Sequence, residues 1–233
     1  MSEPPVRERL IAAAVDLLAA EGPEAVQARK LTAEVGTSTM AVYTHFGGMP
    51  GLVDAVAREG FVRLGRALAA VERTDSPLAD LMALGLAYRD QARAHPELYR
   101  VMFGVTAING HRPVRSHVTT TGAAATDAGT GVPTADEATG AATGEDRDEA
   151  LATFNVLVGA VEAAMAGGAL RPADPTAFAA QLWSLVHGYV LLETAGYFDD
   201  DGLERVLLPL MTAVAVGAGP HGHQESCPAA GGR

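Results

Sequence analysis

The stretch LTAEVGTSTMAVYTHF, Leu31 to Phe46, decides the fold prediction for this chain. Gly36 separates two short helical patterns, and glycine readily adopts the left-handed backbone that a sharp turn between two crossing helices needs. In the second pattern Val42 and Phe46 are four residues apart and face inward, while the polar side chains around them face outward. This arrangement predicts a helix-turn-helix, whose second helix enters the major groove of DNA.

The same stretch resembles the helix-turn-helix of the TetR family of transcriptional regulators. The family pattern is matched at Leu31, Gly36, Ser38, Val42, Tyr43, His45 and Phe46. The chain departs from it at Thr32, Val35 and Thr37, and Met49 stands where the family usually has a lysine. The resemblance implies an all-α protein with an N-terminal DNA-binding head and a helical body that binds a small molecule and forms a homodimer.

The residues expected to contact DNA lie on both helices of this motif. Cationic and polar side chains of the first helix are suited to phosphates, and the outward side chains of the second are suited to phosphates or base edges. The predicted set is Gln27, Arg29, Lys30, Ser38, Thr39, Met40, Ala41, Tyr43, Thr44 and His45. The second helix has no Arg, Asn or Gln, so we expect DNA shape to contribute much of the specificity.

The charge distribution is compatible with DNA binding although the net charge is −11. Residues 1–70 carry seven basic and eight acidic side chains, so most of the acidity belongs to the rest of the chain. A nearly neutral head can approach DNA if its few cations face the phosphates.

Helical periodicity organises the chain into an all-α protein with no strand signal. Helices are predicted over residues 5–20, 25–35, 38–45, 52–71, 77–94, 97–103, 148–166, 175–195 and 202–216. We predict a DNA-binding domain over 1–50, a ligand-binding and dimerisation domain over 51–217, and a flexible tail over 218–233. Residues 110–147 are rich in Ala, Thr, Gly and Asp and lack apolar periodicity, so they are predicted to be a disordered insert.

The body contains a second informative pattern, in which Trp183 and His187 are four apart on one helix and Gly188 follows. It resembles a C-terminal domain that some TetR-type regulators carry, marked by this Trp-x3-His-Gly motif. The residues predicted to surround a ligand cavity are Tyr88, Tyr99, Met102, Phe103, Phe154, Trp183 and His187. Taken singly, each is also explained as an ordinary core residue.

The last two predicted helices are apolar on more than one side, as expected of elements that a partner copy buries. Leu207 is among the residues that this pattern assigns to the dimer surface. The single cysteine, Cys227, excludes a disulfide framework, and no signal peptide or long apolar run is evident, so we expect a cytoplasmic protein.

The sequence offers little support for catalysis, and no cofactor is expected. Ser184, His187 and Asp174 share one helix and its entry, without a nucleophile elbow. The run HGHQESC, His221 to Cys227, has metal-binding residue types but lies in the predicted tail. The sequence favours a ligand-responsive DNA-binding repressor acting on a palindromic operator. The alternatives are a helical small-molecule-binding protein without DNA binding and, more remotely, an enzyme built on the cavity.

Overall fold

The computed structural model describes residues 3–113 and 144–220. Within these ranges the chain forms α-helices joined by short loops and no strand, which confirms the predicted all-α class. The helices are α1 (Val6–Glu21), α2 (Ala28–Val35), α3 (Met40–Phe46), α4 (Met49–Ala69), α5 (Pro77–Ala94), α6 (Pro96–Met102), α7 (Gly144–Ala166), α8 (Pro175–Thr194) and α9 (Leu208–Gly217). Most of the predicted insert, 114–143, and the tail from 221 onward lie outside the described residues.

Helices α1 to α3 form the head, which packs around fully buried Leu10, Leu18 and Leu31. Gly36 ends α2 in the left-handed conformation, with φ 71° and ψ 38°, as the turn prediction requires. Thr32 is buried at the helix crossing, whereas the neighbouring Ala33 is exposed. Helix α3 begins at Met40 rather than at the predicted residue 38, and no side chain caps its start.

Helix α4 joins the head to the body, which comprises α4 to α9. It begins at Met49 rather than at the predicted Leu52, because Pro50 is tolerated in the first helical turn, where its missing N–H costs no hydrogen bond. At about 1.5 Å per residue its 21 residues span about 30 Å. The helix packs against α1 and α3 at the head and against α5, α6 and α7 in the body.

A buried ion pair ties α5 to α8 within the body. The Nε and Nη2 atoms of Arg89 donate to the carboxylate of Glu193 at 3.0 and 2.5 Å, and the hydroxyl of Tyr189 donates to it at 3.1 Å. Arg89 is only 5% exposed. Because removing one partner would leave the other charge buried and unpaired, this contact holds the two helices in one register.

Helix α7 contains the single segment of the described residues, Glu149–Ala166, that is long and apolar enough to cross a membrane. In the structure this segment packs against α4, α5 and α8, and the hydroxyl of Thr153 donates to the carbonyl of Phe61. Packing within the described chain buries 22% of this segment and so accounts for only part of its apolar composition. The helix begins at Gly144 rather than at the predicted Asp148.

The start of the insert, predicted at Gly110, also differs from the structure. Ile108 and His111 form a β-bridge around a tight turn, and Arg112 donates to the carbonyls of Gly104 and Val105. The residues described after α6 continue to Pro113, three residues beyond Gly110, where the change in composition placed the start of the insert.

The C-terminal helices leave apolar side chains on the surface of the single chain. A π-helical turn, Leu203–Leu207, leads into α9. Four of the seven exposed large apolar residues among those described form what we call the α8–α9 surface: Leu192, Tyr197, Leu210 and Val216. The assignment of Leu207 to an intermolecular surface is wrong, because this side chain is fully buried within its own chain.

Gly51 makes a close approach to the backbone at the junction of the head and the body. It lies in the first turn of α4, where a Cβ atom would meet the carbonyl oxygen of Phe46 well inside van der Waals contact. The obstacle is main chain at the end of α3, which cannot rotate away as a flexible side chain can. The glycine therefore sets the distance between α3 and α4.

We predict that Gly51→Ala lowers the free energy of unfolding by about 1–3 kcal/mol, because the extra methyl group overpacks this contact. Gly159→Ala is the matched control, since nothing lies within 4 Å of a Cβ atom at that position in α7. Alanine should stabilise this helix interior by about 0.5–1 kcal/mol. Urea unfolding followed by circular dichroism measures both, and equal stability of Gly51→Ala and the native chain would contradict the prediction.

Candidate DNA-binding surface and ligand cavity

The outward surface of α3 carries most of the side chains predicted to contact DNA. Ser38, Thr39, Met40, Tyr43, Thr44 and His45 are exposed, and Ala41 is half-buried. Met40 and Tyr43 are 67% and 64% exposed. Val42 and Phe46 face the head, where Val42 is buried and Phe46 packs against the core.

Two of the predicted donors already have partners within the head. The hydroxyl of Thr44 donates to the carbonyl of Met40 at 3.0 Å, and the side-chain amide of Gln27 donates to the carbonyl of Glu24 at 3.0 Å. The methyl group of Thr44 remains available for an apolar contact, whereas its hydroxyl proton is occupied. Tyr43 and His45 are therefore the freer polar groups of α3.

The cations of the head differ in their availability for phosphates. Lys30 Nζ lies 2.5 Å from the carboxylate of Glu21, and both groups are exposed. Arg29 is exposed, and within the part of the chain that the structure describes its guanidinium has no hydrogen-bond or ion-pair partner. Arg7, which the sequence did not single out, lies over the ring of Phe46 with 5.4 Å between the guanidinium carbon and the ring centroid.

A cavity of about 350 Å³ lies in the body between α4, α5, α6, α7 and α8. Six of the seven predicted ligand residues line it: Tyr88, Met102, Phe103, Phe154, Trp183 and His187. The seventh, Tyr99, lies behind the wall and contacts it through hydrogen bonds to Tyr88 and His187. The size suits a drug-like small molecule.

The sequence prediction missed the side of the cavity formed by α4. The remaining lining residues are Asp54, Ala57, Arg58, Phe61, Leu64, Leu68, Pro113, Ala150, Leu151, Thr153 and Leu157. On α4 they recur at intervals of three and four residues, so the polar pair Asp54 and Arg58 continues the inward stripe begun by Phe61 and Leu64. This helical spacing was the signal from which the α4 side of the cavity could have been predicted.

Four of the aromatic side chains form a hydrogen-bonded group that we call the tyrosine–histidine relay: Tyr88, Tyr99, Trp183 and His187. The indole N–H of Trp183 donates to the Tyr88 hydroxyl at 3.2 Å. The two tyrosine hydroxyls are 3.0 Å apart, and Nδ1 of His187 lies 3.0 Å from that of Tyr88 and 2.6 Å from that of Tyr99. All four rings lie at the interface of α5, α6 and α8.

Burial sets the protonation states in this relay. Burial raises the pKa of Tyr88 to about 12, and it raises the pKa of Tyr99 as well, with a further rise from the neighbouring Tyr88. Burial also lowers the pKa of His187 below its usual value. All three groups are therefore neutral at pH 7.

Two further features bound the chemistry of the cavity. A smaller apolar cavity of about 50 Å³ shares Leu68, Tyr88, Leu157 and Trp183 with the main one. Arg58 Nη2 lies 3.6 Å from a carboxylate oxygen of Glu149, so the charged groups near the wall include both signs. Within residues 3–113 and 144–220 no group of His, Cys, Asp and Glu side chains has the arrangement of a metal site.

Comparison with known structures supports the same architecture. A protein of unknown function from Rhodococcus sp. RHA1 is 27% identical, with a TM-score of 0.70 over 93% of this chain and 96% of its own. A regulatory protein of the tetR family from Rhodococcus RHA1 is 19% identical, with a TM-score of 0.59 over 93% of this chain and 98% of its own. A variant of TetR from Acinetobacter baumannii AYE, in complex with minocycline, is 17% identical, with a TM-score of 0.56 over 89% and 93%.

Family models match both parts of the chain, while no curated protein sequence matches it. The model for bacterial regulatory proteins of the tetR family matches residues 10–56. The model for the tetracyclin repressor-like C-terminal domain matches residues 81–144 and 131–214, which together cover more than half of the chain. The chain therefore belongs to the TetR family and is a ligand-responsive, DNA-binding transcriptional regulator.

Proposed function

We propose that this regulator is a homodimeric repressor that binds an inverted-repeat operator and leaves it when a small molecule occupies the cavity of the body. The observation that carries the proposal is that α4 contributes both to the cavity wall and to the packing of the head. A ligand that favours one position of α4 therefore favours one position of α3. Binding shifts the population toward heads that no longer match the operator.

A second connection joins the cavity to the head. Phe103 and Pro113 both line the cavity, and the turn between them reaches the head, where the Asn109 side chain donates to the Val26 carbonyl at 2.6 Å. Val26 is fully buried between α1 and α2. Displacement of the wall at either end of this segment would strain that hydrogen bond.

We further propose that Trp183, His187 and Gly188 mark the subgroup of the family to which the body belongs. The protein is proposed to act in the cytoplasm, where a single cysteine stays reduced. It is also proposed to bind its ligand without turning it over. Support comes from Ser184, whose hydroxyl donates to the Ala180 carbonyl at 2.7 Å, while Nδ1 of His187 faces two tyrosines.

Selection from a random DNA library with the purified protein tests the proposed function. The enriched sequences should contain an inverted repeat with half-sites one helical turn, or a multiple of it, apart. Enrichment of a single half-site would contradict dimeric recognition, and no enrichment above background would contradict operator binding altogether.

Arg29→Ala should weaken operator binding about uniformly across sequences, because an arginine on phosphate positions the protein without reading bases. The slope of log affinity against log salt concentration should fall by about 0.9 for each phosphate that is no longer neutralised. Lys30→Ala should have a smaller effect because its ammonium group already binds Glu21. Arg73→Ala makes the same change in charge beyond the far end of α4 and should leave both quantities unchanged. An unchanged slope in Arg29→Ala would contradict this assignment.

Leu210→Glu should convert the dimer to a monomer and abolish operator binding. Leu210 is 45% exposed on α9, so a carboxylate there is tolerated by the single chain but would be buried in a two-fold interface. Ala152→Glu adds the same charge at an exposed position of α7 and should remain dimeric. Sedimentation velocity and a mobility-shift assay measure the two effects. A Leu210→Glu protein that stays dimeric would disprove the proposed surface.

Asn109→Ala should loosen the head without unfolding the body, because it removes the hydrogen bond to Val26. Loss of one such bond predicts amide exchange about fivefold faster in peptides covering residues 24–36, with no change over residues 77–94. Asn155→Ala, an exposed position on α7, is the control. Equal protection of the head in all three proteins, measured by hydrogen-exchange mass spectrometry, would show that this contact does not couple the two parts.

A further inference from the structure

The tyrosine–histidine relay determines which nitrogen of His187 carries the proton. The indole N–H of Trp183 can only donate, so the oxygen of Tyr88 accepts it. If Nδ1 of His187 is unprotonated, Tyr99 donates to Nδ1 and Tyr88 donates to Tyr99, so every proton in the relay has an acceptor. The short distance of 2.6 Å between the Tyr99 hydroxyl and Nδ1 agrees with this direction.

The opposite tautomer leaves a proton without a partner. With a proton on Nδ1, both contacts between the tyrosines and Nδ1 could only receive that proton, and the single contact between the two hydroxyls has room for one proton but not two. One hydroxyl proton would remain buried without an acceptor, and buried polar groups are rarely left in that state. Neutral His187 therefore carries its proton on Nε2.

The Nε2–H group faces away from the relay, because the two ring nitrogens lie on opposite sides of Cε1. His187 lines the large cavity, and none of the described residues offers an acceptor within hydrogen-bond distance of Nε2. The ring is held between Phe103 and Trp183, with centroid separations of 4.4 and 5.6 Å. His187 thus offers the cavity an N–H donor whose orientation the relay fixes.

The charged groups around the cavity include both signs with carboxylates in excess, which disfavours an anionic ligand. The wall carries one carboxylate, Asp54, and one guanidinium, Arg58, and Glu149 lies beside the guanidinium. His187 and Tyr88 are neutral at pH 7. Most of the remaining wall is aromatic or aliphatic, which favours a ligand with a large apolar surface.

We propose that the effector is an uncharged, largely aromatic molecule bearing a carbonyl-type oxygen that accepts a hydrogen bond from Nε2 of His187. This inference rests on the function proposed above, since it names the chemistry of the same cavity. The tyrosines act as positioning residues, which hold the imidazole so that its free N–H points at the ligand oxygen.

Calorimetric titration with three probes of one shape tests the ligand class. The probes are methyl β-naphthyl ketone, its isopropenyl analogue with CH₂ in place of the oxygen, and β-naphthoate. The ratio of ketone affinity to isopropenyl affinity should be about five- to tenfold higher in the native protein than in His187→Phe, the effect of one hydrogen bond. The isopropenyl analogue should bind both proteins equally.

Three results would overturn the proposal. They are an unchanged affinity ratio in His187→Phe, tighter binding of β-naphthoate than of the ketone by the native protein, and no binding of any probe at its solubility limit. Nitrogen-labelled histidine in the native protein gives a test that does not depend on the variant folding. Two-bond correlation spectra at neutral pH should show an unprotonated, hydrogen-bonded Nδ1 and a protonated Nε2 for His187, and the reverse pattern would disprove the relay.

The operator assay separates this inference from the proposed function. Suppose that both uncharged probes release the operator and that the ratio of ketone to isopropenyl affinity is the same in the native protein and in His187→Phe. The proposed ligand class is then wrong, while the proposed repressor function is supported. If the ratio depends on His187 but no operator is bound in any state, the cavity chemistry stands and the repressor function is wrong.

Discussion

The contact between Gly51 and the carbonyl of Phe46 is the constraint on which the head and body jointly depend. Because main chain meets main chain, α3 cannot slide along α4 without breaking the corner between them. The helix that exposes Tyr43 and His45, the side chains predicted to contact DNA, is thus fixed to the helix that presents Asp54 and Arg58 to the cavity. A movement of α4 is the least costly way for these two surfaces to influence each other, since packed elements shift between discrete arrangements rather than deform.

Local patterns in the sequence were sufficient to predict the helices and the outward face of α3. The turn at Gly36 and the inward position of Val42 follow from backbone sterics and helical periodicity, which act within a few residues. The body was harder to predict because its site combines side chains distant in sequence. In the sequence, Tyr88 and Tyr99 are equally good candidates for the cavity wall. The packing of α6 against α5 places Tyr88 on the wall and Tyr99 behind it. Leu207 illustrates the same limit, since periodicity cannot distinguish a residue buried by its own chain from one buried by a partner.

An acidic regulator gains little electrostatic attraction to DNA. Lys30 is paired with Glu21 and Arg7 lies over Phe46, so Arg29 is more accessible to a phosphate than either of these two cations of the head. In the proposed dimer, affinity would then depend on placing two heads at once on matching half-sites. Such a protein should release its operator after a modest change in head spacing, because few contacts of a single head remain to hold it. Weak individual heads therefore make the switch sensitive.

Trp183 is the only tryptophan of the chain, and it stands on the wall shared by both cavities. Its indole donates to Tyr88 and packs within reach of Phe103, Phe154 and His187. With excitation beyond the absorption band of tyrosine, the protein therefore emits from a single residue on the cavity wall. Occupation of either cavity would change the surroundings of that one fluorophore, so the chain carries an intrinsic optical reporter that needs no label.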